Sequence, residues 1–485
     1  MKNIYIPILL FLFFACNSKE ILEETTKNLA VETFYNTAPE VESAVNAIYA
    51  PLRNDNCLGG LYPAQMEAYT DYGYGRGSYA VLSDFQGLNA TNITRVQQMW
   101  DLMYLSIRNA NLVITNAPKG KSISQLDVGR FVAEARFMRA FVYFLMVRNW
   151  GGVILRTESN MVEQNLKRST VEEVYQLIIN DLQTVENALP NTASITGRPT
   201  RWSAKTLLAD VYLHRGQWQQ ARDKAVEVIN SRLYSLVPVT IADDFLKIYG
   251  PDVITSPEEV FYLKYTRLVG QGFNFVMFAH HPNARLHGAG GFFAHYTDIV
   301  ANPVIRTWED RDLRKAYNLY RFNIGLGANS MLYKKFIDPL APAANAAAND
   351  QPWYKFSDVL FIYAEAAARV ANAPTTEAVE ALNQIRRRGY GRPANVANAE
   401  IDYKVADYNL QTFIDLITKE RGYENMYEGK RWLELKRLGT GKLKEIIGAA
   451  TGKTVADKHL LWPIPVSEMN FNTLLDPTRD QNPGY

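Results

Sequence analysis

WSAKTLLADVYLHRGQWQQARDKAVEVINS, residues 202–231, is the stretch on which the fold turns. Leu208, Ala209, Tyr212, Gly216, Trp218, Ala221 and Ala225 stand at tetratricopeptide spacing. Small alanines let two antiparallel helices approach, and a glycine turns the chain between them. A second copy runs from Phe356 to Arg388, with Tyr363, Ala364 and Ala367 on its first helix and Ala378, Leu382 and Ile385 on its second. Its turn, Asn372 to Thr376, is polar and carries Pro374. Upstream, Val128, Phe131, Val132, Ala135, Met138, Val142 and Leu145 recur at spacings of three and four until Gly151 and Gly152 stop the helix. Thr170 and Glu173 form a capping box ahead of Val174, Ile178, Leu182 and Val185, and Pro190 closes that helix. These two are expected to pack as a hairpin, and helices near Val41–Leu52 and Val96–Val113 as another pair.

Two stretches resist a helical reading. Residues 57–94 are rich in tyrosine, glycine and asparagine, and residues 233–349 mix short apolar runs with glycines and prolines. Loops of this length are functional or disordered as a rule, and their aromatic content argues against disorder. The chain as a whole has 485 residues, 47% hydrophobic and 21% charged, enough for a large core. Lys+Arg 52 against Asp+Glu 50 leaves a net charge of +2 with no long basic run, which argues against a nucleic-acid partner.

The first residues differ in kind. Lys2 precedes an apolar stretch, Ile4 to Phe14, too short to span a bilayer, and Cys16 follows directly. This resembles a bacterial lipoprotein signal: residues 1–15 would be the signal peptide and Cys16 the acylated residue, although Phe13 stands where leucine is usual. A plain signal peptide with an incidental cysteine is the alternative. Cys57, the only other cysteine, then has no partner, so no disulfide framework exists. Membrane attachment would come from the lipid, at about 0.8 kcal/mol per buried methylene.

With these elements in place the chain resembles the SusD/RagB family of outer-membrane lipoproteins over nearly its whole mature length. The likeness begins with Ile21, Leu22 and Glu23, continues through Phe34, Tyr35 and Ala44 to Tyr49, and is strongest in EARFMRAFVYFLMVRNWGGVIL from Glu134. FSDVLFIYAEAA from Phe356, ERGYENMYEGKRWLELKRLG from Glu420 and QNPGY from Gln481 each resemble a family signature. Gly422, Asn425, Met426 and Leu433 depart from the family's preferences. The resemblance implies a mainly all-α fold of about four tetratricopeptide-like hairpins, decorated by long irregular loops with minor β structure. Residues 16–232 and 351–485 would be its helical parts and 233–350 a loop-rich insertion on the ligand side, all in one body. It also implies a non-enzymatic nutrient-binding protein facing the exterior, a lid on a SusC-like TonB-dependent transporter. Glycan is the favoured ligand and peptide the alternative. Family members bind through loop residues that no shared motif fixes.

The candidate binding residues therefore come from side-chain chemistry. Between Leu61 and Ala80, Tyr72, Tyr74 and Tyr79 alternate with Asp71 and Arg76. Rings can stack on the apolar faces of sugars while carboxylate, guanidinium and phenol meet hydroxyls. Phe273, Tyr296 and Trp308 offer a second aromatic group; the adjacent Phe292 and Phe293 are assigned to the core. Packing of these rings onto the body or a partner is the competing explanation. His280, His281, His287 and His295 match no metal-ligand spacing, so no metal is expected. Glu420, Glu424 and Glu428 could line one helix face as a glycosidase would need, but the nearby Arg421, Lys430 and Arg431 point to ion pairs. Glu134, Arg136 and Arg139 read the same way. No nucleophile elbow or phosphate-cradling loop occurs, so no catalytic residue or cofactor is expected. A helical-repeat protein adaptor and a glycosidase remain as rival classes.

Overall fold

The computed structural model describes residues 34–485. The expected signal peptide and the lipidation at Cys16 lie outside the described residues.

Helical hairpins carry the fold. The longer helices are α1 (Ala38–Arg53), α2 (Ala90–Asn116), α3 (Gln125–Trp150), α4 (Val171–Val185), α5 (Arg201–His214), α6 (Trp218–Asn230), α7 (Phe356–Ala371), α8 (Thr376–Gly389), α9 (Leu410–Glu424) and α10 (Thr440–Thr451). α1 packs on α2, α3 on α4, α5 on α6 and α7 on α8, which makes four pairs. The pairs stack in turn, and α6 lies directly on α7 although residues 231–355 come between them in sequence. α3 is buried on nearly every side from Phe137 to Val147 because α2 and α4 flank it, while Phe137 and Phe141 set their rings edge-on against Phe261. The capping box of α4 forms as the sequence indicates: Thr170 N–H donates to Glu173 Oε2 at 2.7 Å, and Glu173 N–H to Thr170 Oγ1 at 3.2 Å. Gly216 turns the chain between α5 and α6 at φ +68°, a left-handed conformation that favours glycine. Ala221 and Ala225 are completely buried.

The stretch 57–94 is less irregular than its composition suggests. Leu61–Glu67 form a short helix, and α2 already starts at Ala90. Burial drives that short helix: Tyr62 accepts a hydrogen bond from Asn149 Nδ2 at 3.0 Å and packs on Trp353 and Trp462.

Residues 231–355 leave the helical stack and return to it. Strands β2 (Glu259–Leu263) and β6 (Gln351–Lys355) pair antiparallel where the insertion leaves and rejoins the stack. Ser203 on α5 donates to Val260 O at 2.7 Å, and Tyr354 to Asp210 Oδ2 at 2.8 Å, so both strands are fixed to one helix. A second sheet, in the order β1 (Tyr74–Gly75), β3 (His295–Asp298), β5 (Ser330–Tyr333) and β4 (Leu319–Arg321), joins the tyrosine-rich loop to the insertion.

Buried ion pairs lock the insertion to the C-terminal helices. Arg314 reaches Glu420 at 2.7 Å, Lys335 reaches Glu428 at 2.8 Å, and Lys355 reaches the other oxygen of Glu428 at 2.6 Å. Arg388 bridges Glu258 and Glu424.

Candidate functional site

The four-stranded sheet has two faces because successive side chains of a strand point opposite ways. Gly75 lies opposite His295, and Leu319 opposite Tyr333. This row faces the interior, where His295, Leu319 and Tyr333 are all buried. The other row is Tyr74 opposite Tyr296, and Tyr320 opposite Leu332. Its three tyrosines are half-buried.

An aromatic surface extends from this row. The rings of Tyr74 and Tyr296 meet edge to face at 5.6 Å, and Tyr74 Oη donates to Asp84 Oδ2 at 3.0 Å. Burial, followed by this bond to a carboxylate, pushes the Tyr74 phenol up to about 12, so it stays a donor at neutral pH. Arg76 lays its guanidinium 3.7 Å above the Phe293 ring and donates to Phe293 O at 3.1 Å. His281 lies 4.7 Å from Phe293 and stacks on Phe322 at 4.2 Å, while Phe322 meets Tyr320 at 6.2 Å. Phe292 is 50% exposed beside them.

Backbone geometry holds these rings outward. Phe292, Phe293 and Ala294 donate to Met277 O, His280 O and Phe278 O, which lays one segment along another. A side chain at Gly291 would meet His280 O at 1.9 Å, so only glycine permits that approach. Phe293 adopts φ +38°, a conformation costly for a bulky residue and one that clusters at binding sites.

Of the residues singled out from sequence, Tyr74, Arg76 and Tyr296 come together here. The rest serve packing. Trp308 is 2% exposed, stacked on Tyr423 at 4.2 Å with its indole N–H donating to Asp312 at 2.8 Å, so neither its ring nor its polar edge is free. Tyr72 is enclosed: its hydroxyl donates to Glu67 Oε2 at 2.7 Å and accepts from Tyr427 N–H at 3.0 Å. Tyr79 is buried under Arg95, and Phe273 lies among Tyr265, Phe275 and Phe336. Asp71 lines a cavity of about 420 Å³ between residues 303–307, α9 and α10, but Arg431 holds both of its oxygens, at 3.0 and 2.6 Å. Conversely, of the Phe292–Phe293 pair assigned to the core, Phe292 is 50% exposed and Phe293 half-buried, while the adjacent Ala294 and His295 are buried instead. Tyr320 and Phe322 carry no signal in the sequence beyond their place in an irregular aromatic stretch.

The other constellations are structural. Glu420, Glu424 and Glu428 are saturated by the cations described above, and burial, which alone would raise Glu424, is overcome by Arg388 and Arg314, which hold it down at about 2. Glu134 pairs with Arg198, and Arg139 with Asp181 at 2.8 Å. Among the described residues no group of three His, Cys, Asp or Glu side chains could hold a metal ion. His280 Nε2 contacts Phe336 O at 2.7 Å and His295 Nε2 contacts Ala64 O at 2.8 Å, each spent on backbone.

The available chemistry is that of recognition: rings for apolar faces, one guanidinium with donors to spare, phenols and an imidazole for hydroxyls. Comparison with known proteins agrees in kind. A family model described as "Starch-binding associating with outer membrane" matches residues 21–213, and the model of the SusD family matches residues 293–485. The chain is 27% identical to SusD-like protein P2 of Formosa agariphila over the full length of both. Among solved structures, a SusD homolog from Bacteroides thetaiotaomicron is 22% identical with a TM-score of 0.80, covering 94% of this chain and 98% of its own. A laminarin-binding SusD-like protein is 21% identical with a TM-score of 0.75, covering 93% of this chain and 100% of its own.

Proposed function

Since the chain belongs to the SusD family of outer-membrane-associated proteins, we propose that it captures oligosaccharides on the aromatic surface built from Tyr74, Tyr296, Phe293 and Phe322. The observation that carries this is the edge-to-face pair Tyr74 and Tyr296 on the outer row of the sheet, extended by Phe293 and Phe322. An array of ring edges and faces suits the C–H faces of pyranoses, and the phenols and Arg76 suit their hydroxyls. The laminarin-binding neighbour supports a glycan as the class. Captured sugar passes to a SusC-like TonB-dependent transporter on which this protein sits as a lid, tethered outside the cell by lipid on Cys16. No bond of the sugar is broken in this scheme.

The test is calorimetry against oligosaccharides chosen by a glycan array, with Tyr74→Ala and Tyr296→Ala combined. Each ring buries apolar area worth on the order of 1 kcal/mol, so the double change weakens binding by about tenfold or more. Circular dichroism confirms that the helices persist. Unchanged affinity in the folded double variant places the binding surface elsewhere.

A further inference from the structure

We propose that the saccharide taken up by this surface is anionic, bearing carboxylate or sulfate groups, and that Arg76 meets them. The inference rests on the glycan reading of the same surface and narrows its substrate class.

The first observation is an imbalance of charge around the sheet. Arg76 follows β1, Arg321 lies in β4, Arg306 ends the short helix after β3, and Arg95 covers Tyr79 from α2. All four donate to a backbone carbonyl or an amide oxygen, and among the described residues none of them forms a salt bridge. Elsewhere Arg139, Arg314, Arg387, Arg388, Arg431 and Arg437 each hold a carboxylate, whereas the buried Arg421 forms no salt bridge among the described residues.

Acidic groups near the surface are already engaged. Asp84 is paired with Lys453 at 2.7 Å and accepts from Tyr74. Asp298 accepts from Val300 and Ala301 N–H, both at 2.7 Å, and Asp310 is paired with Lys315 at 2.6 Å. Asp298, held only by neutral N–H groups, keeps its charge, so the unpaired arginines outnumber it and the net sign is positive, and such a field concentrates anionic ligands before contact.

The second observation is the posture of Arg76. Its plane is fixed over Phe293 at 3.7 Å and one N–H is spent on Phe293 O, which leaves the rest of the donor fork unbonded at a half-buried position. A guanidinium pre-oriented in this way meets a carboxylate or sulfate with two parallel hydrogen bonds at small entropic cost. A neutral sugar meets the same fork with uncharged oxygens, without charge assistance, and would leave the field unanswered.

Calorimetry on the purified chain tests this with matched probes: oligogalacturonate against its methyl ester, and a sulfated galactan oligosaccharide against its desulfated form. At least one anionic member should bind about tenfold tighter than its neutral counterpart, as for a charge-assisted hydrogen bond. High salt should erase that margin without affecting the neutral member. Arg76→Gln should abolish the preference and Arg76→Lys should keep part of it. The exposed Arg321→Gln, which gives up only a surface hydrogen bond to Ala328 O, should lower the salt dependence even if Arg76→Gln proves unstable. The uronate and sulfate arms tell which group is read. Equal binding of charged and neutral members, indifferent to Arg76→Gln, overturns the charge inference and leaves the glycan reading standing. Binding of none of the four, with array-selected glycans equally unaffected by the Tyr74 and Tyr296 changes, overturns both.

Discussion

Arg431 reaches from the C-terminal half to hold Asp71 by two hydrogen bonds, just before the tyrosines of the surface sheet. Asp71 stands three residues before Tyr74, and between them Tyr72 is tied to Glu67 and Tyr427. The surface tyrosine is thus aimed by buried neighbours that never meet ligand. Removing one partner of such an ion pair leaves a buried charge, a loss of about 3–5 kcal/mol in dry interiors. Here the cavity of about 420 Å³ lets water approach Asp71 and moderates the cost. Arg431→Met should therefore lower stability by about 3 kcal/mol, read as a shift of the urea midpoint with unchanged slope. Arg431→Met with Asp71→Leu should recover much of it, since no charge is then stranded.

At the scale of elements, the hairpins were legible because their signals are local. Capping at Thr170, alanines at 221 and 225, and the turn at Gly216 each act over only a few residues of chain. The interface between α5 and α6 depends on small side chains, so Ala221→Leu should overpack it and cost about 1–3 kcal/mol. An unmoved thermal midpoint would mean that Ala221 does not face α5. The sheet was not legible, since β1 has two residues and its partner β3 lies more than two hundred residues away. Alternation cannot be read from two residues, and register across such a distance is set by packing that the sequence does not display. This is why Trp308 and Tyr296, both aromatic residues in an irregular stretch, could not be told apart: one stacks inward on Tyr423, and the other pairs with Tyr74 on the outer row.

The molecule as a whole is held together by ionic and polar groups at full burial, and this makes its stability depend on pH in a definable direction. Five of its six histidines are shifted downward by burial: His295 to about 3, His280 to about 4, and His214, His287 and His459 also below the ordinary value. A histidine with a depressed folded pKa contributes its full stability above the unfolded value near 6.5. That contribution is lost as pH falls toward the folded pKa, because only the unfolded chain takes up the proton. Glu67 opposes this, since burial raises it to about 7 and the folded chain then carries a proton that the unfolded chain releases above about pH 4.3. Burial raises Glu258, Glu259, Asp55, Asp101 and Asp350 as well, and these oppose the histidines chiefly at the acid end of the range, so the histidine effect dominates just below pH 6.5. Stability should therefore fall between about pH 6.5 and pH 4.5, by on the order of 1 kcal/mol per pH unit for each net proton. Below that window Glu424 and Glu365, each held at about 2 against burial by neighbouring arginines, continue the decline as their unfolded counterparts protonate. Urea midpoints measured across this range should drop steadily, and Glu67→Gln should steepen the drop by removing the opposing proton. A flat profile from neutral pH to pH 4.5 would mean that the interior histidines are charged in the folded chain, which their contacts with Phe336 O and Ala64 O allow only if the rings open to water.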